Sequence, residues 1–396
     1  MTNRWAVLAL IMAAQIMANV GPLGIPSIAP LIRENLDLSV TQAGSFLSAY
    51  YIGPVLISLP AGWLADRWGV RGAMVLGQAL IAIGLFAAAL APSFSFLVVI
   101  LVLAGAGYGV LNPTTTKAGM AWFPPRQRAT VVGLKQIGLP GGGALGALVM
   151  PPVALAFGWR TAVAVSAVAI GGLTLLTWAL YRDLPEPGRA APARAARPFR
   201  DVLVNRDLWL VGVSTLIFAG VQTVFLSFLV LYLRDVVALE LVVAAKYLVA
   251  AQVSGVAGRV LFGLLSDRLF GGQRRIVLAI AGVGSMGCGL LLSTIAPGTG
   301  PGLLAPLATG IGFFGVGWNG VQHTLMAELA GPRAAGTAVG LGLAISSLGV
   351  TVCPPVFGLV VERLGGYGAA WVALAASMVV ALLLLIPVRE RAMATS

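Results

Sequence analysis

Four cations stand in apolar stretches of this 396-residue chain: Lys117, Lys135, Lys246 and Arg259. Apart from these three lysines every other basic residue is an arginine. No Asp or Glu lies well inside an apolar segment, and Glu328 comes closest, near one segment's end. A lone cation at mid-bilayer costs about 2.5–3.5 kcal/mol, so four need a reason. One reason is an anionic ligand; the other is a long side chain reaching back to the interface. Depth separates them. Lys117 and Lys246 sit near segment ends and suit the interfacial reading. Lys135 sits about two turns in and fits either. Arg259 precedes Asp267 by eight residues, about 12 Å of helix, which puts it deep. Its guanidinium offers a two-pronged fork to a carboxylate, or it can cap helix-end carbonyls. His323 is the sole histidine. With an ordinary pKa near 6.5 it can carry a proton, or serve as a hydrogen-bonded cavity residue. It builds no metal site alone, and Cys288 and Cys353 are not spaced to help, so no metal, cofactor or disulfide is expected.

The elements that must position these groups are long and apolar. Hydrophobic residues make up 59% of the chain and charged residues 10%, against about 25% charged in soluble domains. Arg4 to Arg33 brackets 28 uncharged residues, Asp37 to Asp66 another 28, and Arg71 to Lys117 brackets 45 with a turn at Pro92. About 20 apolar residues span a bilayer. An all-α membrane protein follows, with twelve transmembrane helices near 5–30, 43–65, 72–91, 95–119, 129–154, 160–181, 208–233, 241–265, 276–296, 303–326, 336–360 and 369–388. The first is too long for a signal-peptide core and reads as a retained helix. Residues 183–207, with Pro185, Pro187, Pro192 and Pro198, read as a cytoplasmic linker holding a short amphipathic helix near 199–204. It separates a six-helix bundle at 1–182 from another at 208–396. The net charge of +12 would suggest nucleic acid in a soluble protein. With both termini inside, seventeen arginines fall on the cytoplasmic side and four (Arg33, Arg160, Arg234 and Arg363) outside, so membrane topology explains the charge. The lipid bilayer is the expected partner and nucleic acid is not. The arginine-rich composition and short loops point to a bacterial inner membrane.

The chain also repeats itself. Gly62-Trp63-Leu64-Ala65-Asp66-Arg67-Trp68-Gly69 joins two apolar runs, and Gly263-Leu264-Leu265-Ser266-Asp267-Arg268 does so 201 residues later. Gly107-Tyr108-Gly109-Val110-Leu111-Asn112 returns as Gly315-Val316-Gly317-Trp318-Asn319, and Pro151-Pro152 as Pro354-Pro355. Near-constant offsets indicate a duplicated six-helix unit repeated in the same orientation. Glycines and prolines crowd the apolar runs, which allows close helix packing and bends.

The doubled loop resembles the signature Gly-x-Leu-Ala-Asp-Arg-x-Gly of the major facilitator superfamily. The first copy departs at Val70, where a basic residue is usual, and resumes at Arg71. The resemblance covers essentially the whole chain and implies the major facilitator fold of two six-helix pseudo-repeats, a secondary transporter working by alternating access, and a functional monomer. It gives Asp66, Arg67, Arg71, Asp267 and Arg268 gating roles. It implies a cavity lined by the first, fourth, seventh and tenth spans, which here carry Gln15 and Asn19; Tyr108, Asn112 and Thr114–Thr116; Gln222 and Thr223; and Asn319, Gln322 and His323. Tyr50 and Tyr51 of the second span could reach it. Gly258-Arg259-Val260-Leu261-Phe262-Gly263 resembles the eighth-helix arginine segment of oxalate–formate exchangers and monocarboxylate transporters, where the arginine binds the substrate carboxylate. The latter carry an acid one turn earlier, where this chain has Gly255. The expected substrate is a small organic anion, a carboxylate, contacted by Arg259 with Lys135 as a second cation. The alternative is a proton-coupled exporter of drug-like or amphipathic compounds, suggested by Gly138-Leu139-Pro140-Gly141-Gly142-Gly143. That segment partly resembles an antiporter motif but is interrupted by Leu139. A membrane sensor or intramembrane enzyme lacks support: no paired carboxylates or nucleophile–base arrangement appears.

Overall fold

A computed structural model describes residues 3–183, 202–331 and 334–390, leaving aside the side chains of 58–66, 125–126 and 129–130. Every regular element among the described residues is helical. In chain order they are α1 (Arg4–Leu36), α2 (Val40–Gly44), α3 (Phe46–Ala89), α4 (Phe94–Trp122), α5 (Pro125–Phe157), α6 (Trp159–Leu180), α7 (Arg206–Asp235), α8 (Leu241–Leu264), α9 (Arg274–Ser293), α10 (Pro301–Gly317), α11 (Asn319–Ala330), α12 (Ala335–Arg363) and α13 (Tyr367–Leu385). Eleven described stretches are long and apolar enough to cross a bilayer, and Phe46–Ile57 is a shorter apolar helix. Most of the linker expected at 183–207 lies outside the described residues, including 199–201 of its short helix; residues 202–204 are helical.

Three boundaries differ from the sequence reading. The loop expected after the second span is instead a break inside the continuous α3 at Gly69, with φ 74 and ψ 170. That backbone conformation favours glycine, which has no Cβ to clash. The equivalent turn after α8 is a π-helical turn, Leu265–Leu269. The tenth span is two helices, α10 and α11, joined at Trp318.

The chain forms two compact units, one of Met1–Pro187 with Leu239–Val249, the other of Gly188–Ala238 with Ala250–Ser396. Within the first, α1 packs on α5, and α3 on α4 and α6. Gly138, Gly142 and Gly146 line one face of α5 at four-residue spacing. A Cβ at Gly142 would lie 2.4 Å from the Ile16 carbonyl oxygen, and one at Gly146 would lie 2.2 Å from that of Val20. The second unit repeats the device where α7 meets α12: a Cβ at Gly349 would lie 1.9 Å from the Leu216 oxygen, and one at Gly220 2.2 Å from Cys353 Sγ. In lipid, where apolar side chains gain little by leaving the solvent, backbone contact of this kind holds helices together.

Candidate functional site

The glycine face of α5 decides where Lys135 goes. Gly138, three residues on, lies against Gln15 of α1. Lys135 thereby reaches α4, and its Nζ donates to Asn112 Oδ1 at 2.7 Å, Asn112 O at 2.8 Å and Thr116 Oγ1 at 2.7 Å. Three protons thus meet three neutral acceptors, and Lys135 is only 2% exposed. Gln15 Nε2 donates to Thr115 Oγ1 at 2.6 Å and lies 3.5 Å from Asn112 Oδ1. Asn19 Nδ2 donates to the Gln15 carbonyl at 2.7 Å, while its Oδ1 is buried with no partner among the described residues. Tyr50 and Tyr108 stand where α3 meets α4, ring centroids 5.9 Å apart, with Tyr51 5.6 Å from Tyr50. The Tyr50 hydroxyl is buried with no partner among the described residues.

In the second unit, small residues bring α8 against α10. A Cβ on Gly312 would lie 1.8 Å from the Ala251 oxygen, and one on Gly258 2.5 Å from the Phe313 oxygen. The Phe262 and Phe313 rings pack at a tilt, centroids 4.8 Å apart. Arg259, next to Gly258, therefore meets the end of α10. Its Nε donates to the Val316 carbonyl at 3.4 Å. The same carbonyl accepts Asn319 Nδ2 at 3.0 Å, and that amide also reaches Gln222 Oε1 of α7 at 2.9 Å. Trp318 Nε1 donates to Gly315 O at 2.9 Å. Side-chain donors thus meet the carbonyls at the break, as irregular backbone at membrane depth requires. A Cβ on Gly255 would lie 2.9 Å from Val316, so the tight α8–α10 contact has no room for an acid one turn before Arg259.

His323 follows Asn319 by one turn on α11. It is half-buried, feels the Arg259 charge, and its Nδ1 has no hydrogen-bond partner among the described residues. Gln322 is different. It turns toward α12, where a Cβ on Gly342 would lie 3.0 Å from its Nε2. The structure therefore brings Gln222, Arg259, Asn319 and His323 together and sets Gln322 apart. Thr114 and Thr223 donate to carbonyls of their own helices. Lys246 is exposed one turn into α8, as the interfacial reading expects.

The charged hinges hold residues that sequence reasoning missed. Asp183, just after α6, accepts the Arg71 backbone N–H at 3.0 Å, and its carboxylate fills the space beside Gly69. The Arg71 guanidinium in turn donates to the Trp178 carbonyl near the end of α6. Arg275 and Glu390 repeat the exchange. Glu390 accepts the Arg275 N–H at 2.6 Å, and Arg275 donates to Ile386 O and Val388 O at 2.8 Å each. Asp267 pairs with Arg274, which also reaches Glu328 at 3.2 Å and Ser266 Oγ at 2.8 Å. Arg67 and Arg268 are exposed; the Asp66 side chain lies outside the described ones. Each unit has an acid just past its last span, Asp183 and Glu390, 207 residues apart. The repeat offset alone would have paired them.

The Major Facilitator Superfamily model matches residues 6–348. The chain belongs to that superfamily. It is 28% identical over 388 residues to the probable sulfoacetate transporter SauU of Cupriavidus necator, covering 92% of this chain and 89% of that one. It is 30% identical over 253 residues to the hexuronate transporter of Bacillus subtilis, covering 61% and 59%. Among solved structures it resembles the nucleoside transporter NupG, with TM-score 0.81 and 15% identity over 97% of this chain and all of that one. The chain is a multi-pass membrane transporter of the superfamily, and relatives named as anion transporters span most of its length.

Proposed function

We propose that this protein is a secondary transporter that moves a small organic anion across a bacterial inner membrane by alternating access, as a monomer with both termini in the cytoplasm. The observation that carries the reading is Arg259, a half-buried guanidinium set deep in α8 against the break between α10 and α11. The relatives named for sulfoacetate and hexuronate support it. Both names denote compounds with a carboxylate, the partner that a guanidinium fork suits. Gln222, Asn319 and His323 complete the polar set in that unit.

Lys135 contributes a positive charge that favours an anion, while its protons stay on Asn112 and Thr116. Asn19, Tyr50, Tyr108, Asn112 and Gln322 are the further polar candidates. Asp66, Arg67, Arg71, Asp267 and Arg268 act at the hinges.

Thermal stabilisation of the purified protein against mono- and dicarboxylates, sulfoacetate, sugar acids, amino acids and cationic dyes tests the reading. A ligand at about 100 times its Kd adds about 2.7 kcal/mol, a visible shift. A carboxylate should stabilise the wild type, and Arg259→Gln should weaken that binding by about 30-fold or more, equivalent to about 2 kcal/mol or more. Stabilisation by cationic or neutral lipophilic compounds alone would overturn the anion assignment and favour an exporter.

A further inference from the structure

The Val316 carbonyl at the α10–α11 break joins two side chains, Arg259 Nε and Asn319 Nδ2. His323 lies one turn beyond Asn319, about 6 Å of helix rise. Its Nδ1 has no hydrogen-bond partner among the described residues, and the Arg259 charge acts on its ring.

The charged groups on the helices packed against α11 lie at helix ends. They are Arg206, Asp207, Arg234 and Asp235 on α7, Arg274 and Arg275 on α9, and Glu362 and Arg363 on α12, each among the first or last two residues of its helix. On α11 itself Glu328 is engaged by Arg274. The other titratable side chains on these three helices are Cys288, Cys353 and Tyr232, and Tyr232 donates to Leu292 O at 2.6 Å. α10 carries no charge at all. Among the described residues of these helices and their neighbours, Arg259 is the charge within a span that acts on His323. The usual alternative proton carrier, an acid beside the arginine, is excluded at Gly255 by the Val316 contact.

We propose that His323 is the proton site of the transport cycle and that the anion moves together with a proton. The proposal rests on the anion reading above. An imidazolium and a guanidinium that act on each other through a low-dielectric interior repel, so the ring takes a proton when an anion occupies Arg259. The proton adds to the lone pair of an imidazole nitrogen from water on the loading side. It leaves to water on the release side as the anion departs, and the ring returns to neutral. A monoanion would then cross without net charge movement.

The test uses the full-length protein, purified without a histidine tag and reconstituted in liposomes containing a pH-sensitive dye, with sulfoacetate and glucuronate as probes. Wild-type anion affinity should tighten at least about fivefold from about pH 7.5 to about pH 5.5. An inward anion gradient should acidify the lumen. His323→Gln should lose both the pH dependence of anion binding and the acidification. Because His323 is the sole histidine, modification of folded wild type by diethyl pyrocarbonate, verified by mass spectrometry, provides the same readout if the variant does not fold. Acidification that persists in His323→Gln or in the modified protein overturns the proposal, as does a wild type that carries the anion without protons. If neither probe binds the wild type at any pH while cationic compounds do, the anion reading itself fails. If the anion binds and Arg259→Gln abolishes binding but no proton moves, only the proton site fails.

Discussion

The two units answer the same burial problem in different ways. In the first, Lys135 is almost fully buried and its ammonium is enclosed by Asn112 and Thr116. In the second, Arg259 is half-buried and its Nε meets the Val316 carbonyl at the longer distance of 3.4 Å, where the span itself is broken. An ammonium has three donors and no acceptor capacity, so three tight neutral contacts use it up. A guanidinium has five donors in a planar fork, the geometry that suits a carboxylate. Under the proposed function, the duplicated fold supplies one charge held for its field and one read by a ligand.

Arg259→Gln should have the largest effect, the loss of anion binding described above. Lys135→Met should weaken the anion by only about three- to tenfold, the scale of one charge acting at a distance through an effective dielectric of about 20. Isothermal titration of the two variants side by side decides this; equal losses would erase the contrast between the units. Lys135→Arg should not restore wild-type stability, because a planar fork does not fit acceptors arranged around a compact ammonium.

Gly142→Ala addresses the packing that aims Lys135. Its Cβ would lie 2.4 Å from a backbone oxygen of α1, a contact only helix displacement can relieve. A loss of about 1–3 kcal/mol is expected, read as a lower melting temperature. Gly133→Ala, with nothing within 4 Å of the new carbon, should be close to neutral.

The smallest effect concerns the hinges. Burial pushes the Glu390 carboxyl above its ordinary value, with Glu328 adding to the rise and the Arg275 N–H and charge opposing it. A raised carboxyl holds its proton more tightly folded than unfolded. Stability from this group therefore rises as pH falls from above the folded value toward the ordinary carboxylate range. Glu390→Gln should flatten that part of the stability–pH curve, and chemical denaturation at a series of pH values would show it.

Much of this was legible in the chain. The uncharged runs, the doubled Asp-Arg loop and the arginine bias fixed an all-helical, duplicated membrane protein, because a bilayer allows few ways to satisfy a backbone. Lys135 and Arg259 could be singled out because a cation among apolar residues is conspicuous. Asp183 and Glu390 were not, since an acid in a polar segment looks like any solvated charge until the fold brings it to a helix end. Gln322 shares its span with Asn319 and His323, yet helical rotation turns it toward α12.

Residue type and spacing alone determined that the molecule crosses a membrane, that it is built twice, and that cations without neighbouring acids lie within it. Tertiary structure alone decided which cation is enclosed and which stands at a break, because that depends on where glycine faces let helices touch. Gly138 and Gly142 carry Lys135 onto Asn112, and Gly258 and Gly312 carry Arg259 onto the Val316 carbonyl. A few ångströms of backbone approach separate those outcomes, and such distances arise only when two helices far apart in sequence come into contact.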